Sequence, residues 1–290
     1  MINHNILDYL WAGTYGGFIQ YIEARGRMDA APPGAEIEAR AYYESDNDDV
    51  RYQGYEYMID TYGSVASVQI RGSLVAQSSF LSHMFGMTGY DEIQNAVAAA
   101  AQEPGIENIL LDIDSPGGSV NGVAETGSVI RAIDENVMPV SAFTSGQMAS
   151  AAYWLGSSAR EIHATDMASI GSIGVIAVHQ EMSEAMKKEG IKPTVFTAGK
   201  YKGVGNPYEP LSDSDKSYIQ SKVDGAYGFF VNAVAENRGL TSDYVKENAA
   251  TGEDFFARDA IGVGLIDRLN SFQDVVKLLD SSHNPPQQGI

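Results

Sequence analysis

The chain contains no cysteine. Disulfides, thiol nucleophiles and thiolate metal sites are therefore excluded together. Basic residues are also scarce, with 19 Lys and Arg against 38 Asp and Glu and a net charge of -19. Such a chain is repelled by nucleic acid and by anionic membrane surfaces, which leaves a solvated acidic surface or a basic partner. No apolar run reaches the roughly 18 residues that would span a bilayer. The N-terminus lacks a basic n-region and carries Asp8 early, so it is a poor signal peptide. The five histidines, His4, His83, His163, His179 and His283, are scattered without paired helical spacing, so no metal constellation is expected. A soluble, cytoplasmic protein without metal or cofactor is the resulting expectation.

What is present is a chain of 290 residues with 44% apolar content, enough for one large domain or two smaller ones. Residues 1–60 read as an N-terminal extension. Tyr9 to Ile22 suggests an amphipathic helix, Pro32-Pro33-Gly34 a linker, and Glu44 to Asp49 an acidic solvated loop. From residue 61 to 280 strands alternate with helices. Strands are expected at 64–71, 108–114, 139–144, 161–165, 172–178 and 193–197. Helices are expected at 91–103, 120–134, 181–189, 213–237, 241–249 and 271–279, and residues 255–265 begin strand-like. This alternation implies an α/β fold with mostly parallel strands. The tail 281–290, with Pro285-Pro286, is expected to fray.

Three segments carry candidate chemistry. In Ser145-Gly-Gln-Met-Ala-Ser-Ala-Ala-Tyr-Trp154, Ser150 follows a strand, opens a helix and has neighbours too small to hide it. A carbonyl could approach such a serine, and first-turn N–H groups favour developing negative charge. In Asp114-Ser-Pro-Gly-Gly118, Pro116 fixes a turn and two glycines leave main-chain N–H groups free to face outward as oxyanion donors. A base is needed as well. His179 is one candidate. Lys200 and Lys202, in the Gly- and Pro-flanked Gly199-Lys-Tyr-Lys-Gly-Val-Gly-Asn-Pro207, are others, provided burial lowers a lysine pKa towards neutrality.

Ser115-Pro-Gly-Gly118, Met148-Ala-Ser-Ala-Ala-Tyr153, Ile170-Gly-Ser-Ile-Gly-Val175 and Gly199-Lys-Tyr-Lys202 occur in an order that resembles the signal peptide peptidase A family of serine proteases. Gly86-Met-Thr-Gly-Tyr90 and Gly205-Asn-Pro-Tyr208 make the chain most similar to that family's phage capsid-assembly (prohead) branch, and the likeness covers roughly residues 62–270. The resemblance implies a Clp/crotonase-like fold of repeated strand–strand–helix units. It places the nucleophile of a Ser–Lys dyad on Ser150, the general base on Lys202 rather than Lys200, and the serine that bonds the lysine amine on Ser172. Oxyanion donors would be the main-chain N–H groups of Gly117, Gly118 and Ala151. One departure is that many members have Ala-Ser-Gly-Gly where this chain has Ala149-Ser-Ala-Ala152, which narrows the groove slightly.

The same resemblance implies protein substrates (scaffold, portal or capsid proteins of a phage procapsid), a homo-oligomer and a location in the host cytoplasm or procapsid interior; the lack of a long apolar run adds the expectation of no membrane anchor, unlike membrane-bound members of the family. The N-terminal extension then reads as a docking or self-cleaved segment. Three other readings stand beside this one: a soluble signal-peptide-peptidase-like protease of bacterial proteins, an inert capsid assembly or scaffold protein, and a crotonase-type acyl-CoA enzyme.

Overall fold

The computed structural model describes residues 10–14, 17 and 58–280. The linker at Pro32-Pro33-Gly34, the acidic segment Glu44 to Asp49 and the tail 281–290 lie outside the described residues. In chain order the elements are β1 (Leu10–Gly13), β2 (Ile59–Tyr62), β3 (Val65–Arg71), β4 (Leu74–Val75), α1 (Phe80–Met84), β5 (Thr88–Gly89), α2 (Tyr90–Ala100), β6 (Asn108–Asp114), β7 (Gly117–Ser119) and α3 (Val123–Asn136). They continue with β8 (Val140–Thr144), β9 (Gln147–Ala149), α4 (Ala151–Ser157), β10 (Glu161–Ala164), β11 (Ser169–Gly171), β12 (Ile176–Ala177) and α5 (Ser183–Lys188). The last are α6 (Asp213–Arg238), α7 (Ser242–Asn248), β13 (Asp254–Phe256), α8 (Ala257–Gly262), β14 (Arg268–Leu269) and α9 (Phe272–Leu279).

The main sheet has the strand order β14-β10-β8-β6-β3-β2 and is parallel except for the edge pair β2–β3. Its central strands read as continuous apolar runs. Ile109, Leu110, Leu111 and Ile113 of β6 and all five residues of β8 are buried, as expected of parallel strands covered on both faces. The chain repeats one unit: β6–β7–α3, then β8–β9–α4. In each unit the first strand joins the main sheet and the second steps into a small flanking sheet. The fold is thus the mixed α/β architecture with mostly parallel strands expected from the sequence, and the strand–strand–helix repeat is present. It brings the β6–β7 turn and the β9–α4 junction side by side, through a bridge from Ser115 to Met148.

The C-terminal third is tied down by specific contacts. Ser212 caps α6 by accepting from the Asp215 N–H at 3.2 Å, and Gly239 ends it in the left-handed region at φ 64°. Phe230 of α6 stacks on Trp154 of α4 with ring centroids 5.1 Å apart. Arg238 donates to both carboxylate oxygens of Asp267 at 3.0 and 2.7 Å. Buried Asp280 accepts from the Ser64 N–H and hydroxyl at 3.1 and 3.0 Å, fastening the end of α9 to the start of β3.

Three expected elements differ. Tyr9 to Ile22 was expected to be helical. Leu10–Gly13 is instead a strand, because it finds two strand edges to pair with. The expected continuous strand 172–178 is broken: Ser172 has φ 50°, and pairing resumes only at Ile176. Residues 193–197 are irregular and Phe196 is 90% exposed. The β-branched composition there has no neighbouring edge to complete it, and Pro193 offers no N–H.

One buried pair gives a pH prediction. Burial pushes the Glu92 carboxyl up to about 7 and pushes His83 below its ordinary value. His83 Nε2 lies 2.7 Å from Glu92 Oε1. A carboxyl with a raised folded-state pKa makes the folded chain bind more protons than the unfolded one between the two values, so the Glu92 contribution to stability falls as pH rises from about 4.5 to about 7, opposed by the contribution of the lowered His83. We expect Glu92→Gln to flatten that slope and to lose on the order of 2 kcal/mol less than wild type across this window. Urea titrations at pH 5 and pH 7.5 read it directly. An unchanged slope would assign it to other groups.

Candidate active site

Ser150 sits between β9 and α4 with φ 55° and ψ -122°, a conformation that L residues rarely adopt. Ser150 and Ser172 are the two non-glycine residues with positive φ among those described. Such strain persists only where the surroundings over-determine it, and it gathers at functional sites. Here the Ser150 N–H donates to Gly171 O at 2.6 Å, and the Ser150 carbonyl accepts the Trp154 N–H at 2.9 Å to begin α4. The residue is fully buried, and its Oγ has no hydrogen-bond partner among the described residues. A buried hydroxyl without a partner costs about 1–3 kcal/mol. A serine of purely structural use would not carry that cost.

Gly117 and Gly118 lie directly beside it. Gly117 has φ 94°, and a Cβ there would overlap Ala12 O and come within 2.9 Å of Ala149 O and of Ala151 N. The backbone atoms Ala12 O, Ala149 O and Ala151 N therefore all crowd the side of Gly117 where a side chain would stand. A Cβ on Gly118 would overlap the Leu74 backbone, which fixes glycine at that position too. Ser115 is a residue that sequence reasoning missed. It is fully buried, its Oγ donates to Gly72 O at 2.7 Å and accepts the Gly117 N–H at 3.2 Å, and its backbone ladders to Gln147 and Ala149. It holds the glycine turn against the Ser150 segment. The only sequence signal was its place before Pro116.

The structure brings Ser150, Ala151, Gly117, Gly118 and the Gly171-Ser172 backbone together, but not the lysine. Lys202 is exposed on an irregular segment and is not within hydrogen-bonding distance of Ser150 Oγ. Ser172 is buried. Its N–H donates to Glu253 O at 2.7 Å, and its side chain lies close to the Asp254 carboxyl, which desolvation pushes up and the Ser172 hydroxyl pulls back down. Lys200 lies over the Tyr201 ring at 4.7 Å, and its pKa is raised by its interaction with Tyr201. His179 follows β12 and makes no bond to Ser150. A separate polar cleft of about 210 Å³ between Asp60, Arg71, Asp112 and Phe272 does not include Ser150. Its charges satisfy one another through Arg71–Asp112 and Gln69–Asp60 bonds.

A mixed α/β repeat that places a strained, buried serine at a helix start beside a glycine turn is an arrangement compatible with acyl transfer. The model of peptidase family S49 matches residues 132–284, and the chain belongs to that family. It is 32% identical to capsid assembly protease C of Escherichia phage lambda, over 81% of this chain and 52% of that protein. It is 30% identical to head-tail preconnector protein GP5 of Enterobacteria phage P21, over 78% of this chain and 44% of that protein. A protein of Enterococcus faecium named for signal peptide peptidase SppA is 29% identical over 61% of this chain and 52% of its own length. The chain spans about half the length of these curated relatives. Among solved structures, a ClpP1 mutant from Listeria monocytogenes is similar over 73% of this chain and 94% of that one, with TM-score 0.44 and 13% identity. Among the described residues no helix is long and apolar enough to cross a membrane.

Proposed function

We propose that this chain is a serine endopeptidase with a Ser150–Lys202 dyad that cleaves scaffold, portal or capsid proteins during phage procapsid maturation. The observation that carries it is Ser150 itself: strained, buried and without a partner, beside Gly117 and the Ala151 N–H. Neutral Lys202 takes the Ser150 proton as Oγ attacks the scissile carbonyl. The Gly118 and Ala151 N–H groups stabilise the oxyanion, joined by the Gly117 N–H once it leaves Ser115 Oγ, and Lys202 returns the proton to the leaving amine. Water then releases the acyl group by the same steps. A solvated lysine stays protonated, so the 199–207 segment must carry Lys202 out of water and into the site, with Ser172 moving from Asp254 to the amine.

The segment is built for such a change. It belongs to a weakly packed stretch with Val178, Ile191, Phe196 and Tyr208 exposed, and Phe229 of α6 is 73% exposed as well. An apolar surface of this kind suits packing against a second copy, which supports a homo-oligomer whose contacts bury the lysine segment. The substrate class rests on the two phage relatives. The relative named for signal peptide peptidase supports a second reading, in which the same dyad acts on bacterial proteins.

The test is alanine substitution of each candidate base in a peptide-hydrolysis assay. We expect Lys202→Ala to lower kcat by about 10²–10⁴-fold, the range for a positioned general base. Lys200→Ala and His179→Ala should keep most of the activity. Equal loss at Lys200 would reverse the choice of lysine, and loss at His179 alone would replace the dyad with a Ser–His pair.

A further inference from the structure

Strand β1 is out of place in its sheet. The sheet runs β12-β1-β7-β4-β5, with β4, β5 and β7 parallel and β1 antiparallel to both of its neighbours. It comes from the start of the chain, yet it fills a slot one strand wide between the glycine turn and the strand that follows Ser172. The register is Gly13 opposite Gly117, Ala12 opposite Gly118 and Trp11 opposite Ser119 on one side, with Trp11 opposite Ile176 on the other. The ladder is extended at both ends, where the Val120 N–H donates to Leu10 O at 3.3 Å and the Thr14 N–H donates to Pro116 O at 2.9 Å. Antiparallel alternation then makes Ala12 and Gly118 the hydrogen-bonded pair between them. That is the ladder an extended peptide forms when it adds to a sheet edge.

We infer that Leu10–Gly13 is an in-cis ligand of the peptide groove, seated where a substrate strand would lie, and that a substrate binds by displacing it. This rests on the reading of Ser150 as the nucleophile. Three observations support it. Ala12 O lies where a Gly117 Cβ would stand and pairs across the ladder with Gly118, so the occupant presents a carbonyl to one of the proposed oxyanion donors. Leu10, Trp11 and Ala12 are each at most 2% exposed, and β1 packs against α4, so the segment helps to close the site in which Ser150 is fully buried. The residues nearest the glycine turn, Ala12 and Gly13, are the smallest available. The groove therefore takes an extended strand with small residues at the reactive centre and a large apolar residue, as Trp11, immediately before them. Occupied in this way, the groove excludes substrates that bind more weakly than the chain's own strand.

The experiment uses the full chain. Ala12→Pro removes the N–H that β1 gives to Gly118 and should free the strand, with hydrogen exchange of β6 serving as the control for an intact fold. The expected result is at least ten-fold faster modification of Ser150 by a fluorophosphonate than in wild type. An unchanged rate with β6 still protected would overturn the inference. A second measurement needs no nucleophile. In full-length Ser150→Ala, millimolar acetyl-Leu-Trp-Ala-Gly-Thr-amide should speed exchange of the amides of residues 10–14 at least ten-fold. Peptide binding without that change would place the groove elsewhere. If neither wild type nor Ala12→Pro is modified while the peptide still displaces residues 10–14, the nucleophile reading fails and the groove assignment stands.

Discussion

Replacing Ser150 with alanine is expected to lower peptide hydrolysis by about 10⁴–10⁶-fold, the scale of removing a nucleophile. The same substitution should raise the melting temperature. Ser150 Oγ is buried without a partner among the described residues, so deleting it relieves a desolvation cost of about 1–3 kcal/mol. In a chain of this size about 1 kcal/mol corresponds to roughly 2 °C. The opposite signs are the diagnostic. A serine that merely begins α4 would lose stability on substitution and leave the rate untouched. A reactive serine held against its own preference gives up activity and gains stability. Steady-state rates and scanning calorimetry on the same preparations read both signs.

The second large effect is expected at Gly117. Alanine there must adopt φ 94°, and its methyl group would overlap Ala12 O and crowd Ala149 O and Ala151 N, pushing the turn away from the Ser150 segment. Alanine keeps its N–H, so the expected effect comes from displacing the proposed oxyanion donors of the turn and of Ala151, and misplacing one donor of this kind costs about 10²–10³-fold in kcat. Gly118→Ala provides the contrast. Its Cβ meets the Leu74 backbone rather than the reacting atoms, so its main expected effect is a lowered melting temperature, read in the same thermal scan. Wild-type kcat/KM in Gly117→Ala would remove this turn from the site.

The central architecture was legible because burial and local pattern agree there. Asn108–Asp114 and Val140–Thr144 are short apolar runs that become central parallel strands, and Asp213–Arg238 has a capping serine and a terminal glycine. The glycine turn and Ser150 were legible for a different reason: small residues where chains must approach closely leave a mark in composition. The strain at Ser150 and Ser172 left none, because it is imposed by the Gly171 and Glu253 carbonyls that hold the two backbones. Strand β1 was also hidden. Leu-Trp-Ala-Gly has no alternation to read, and it is a strand only because the β7 and β12 edges lie on either side of it. Ser115 escaped notice because its role depends on Gly72, more than forty residues earlier in the chain. Lys202 was chosen over Lys200 by resemblance alone.

The most direct measurement is the site of covalent modification. The full chain would be incubated with a fluorophosphonate, digested and mapped by mass spectrometry, alongside Ser150→Ala and Lys202→Ala. A single adduct on Ser150, absent from Ser150→Ala and strongly slowed in Lys202→Ala, is the predicted result. An adduct on another serine, or peptide hydrolysis that persists in Ser150→Ala, would contradict the assignment of Ser150 as the nucleophile.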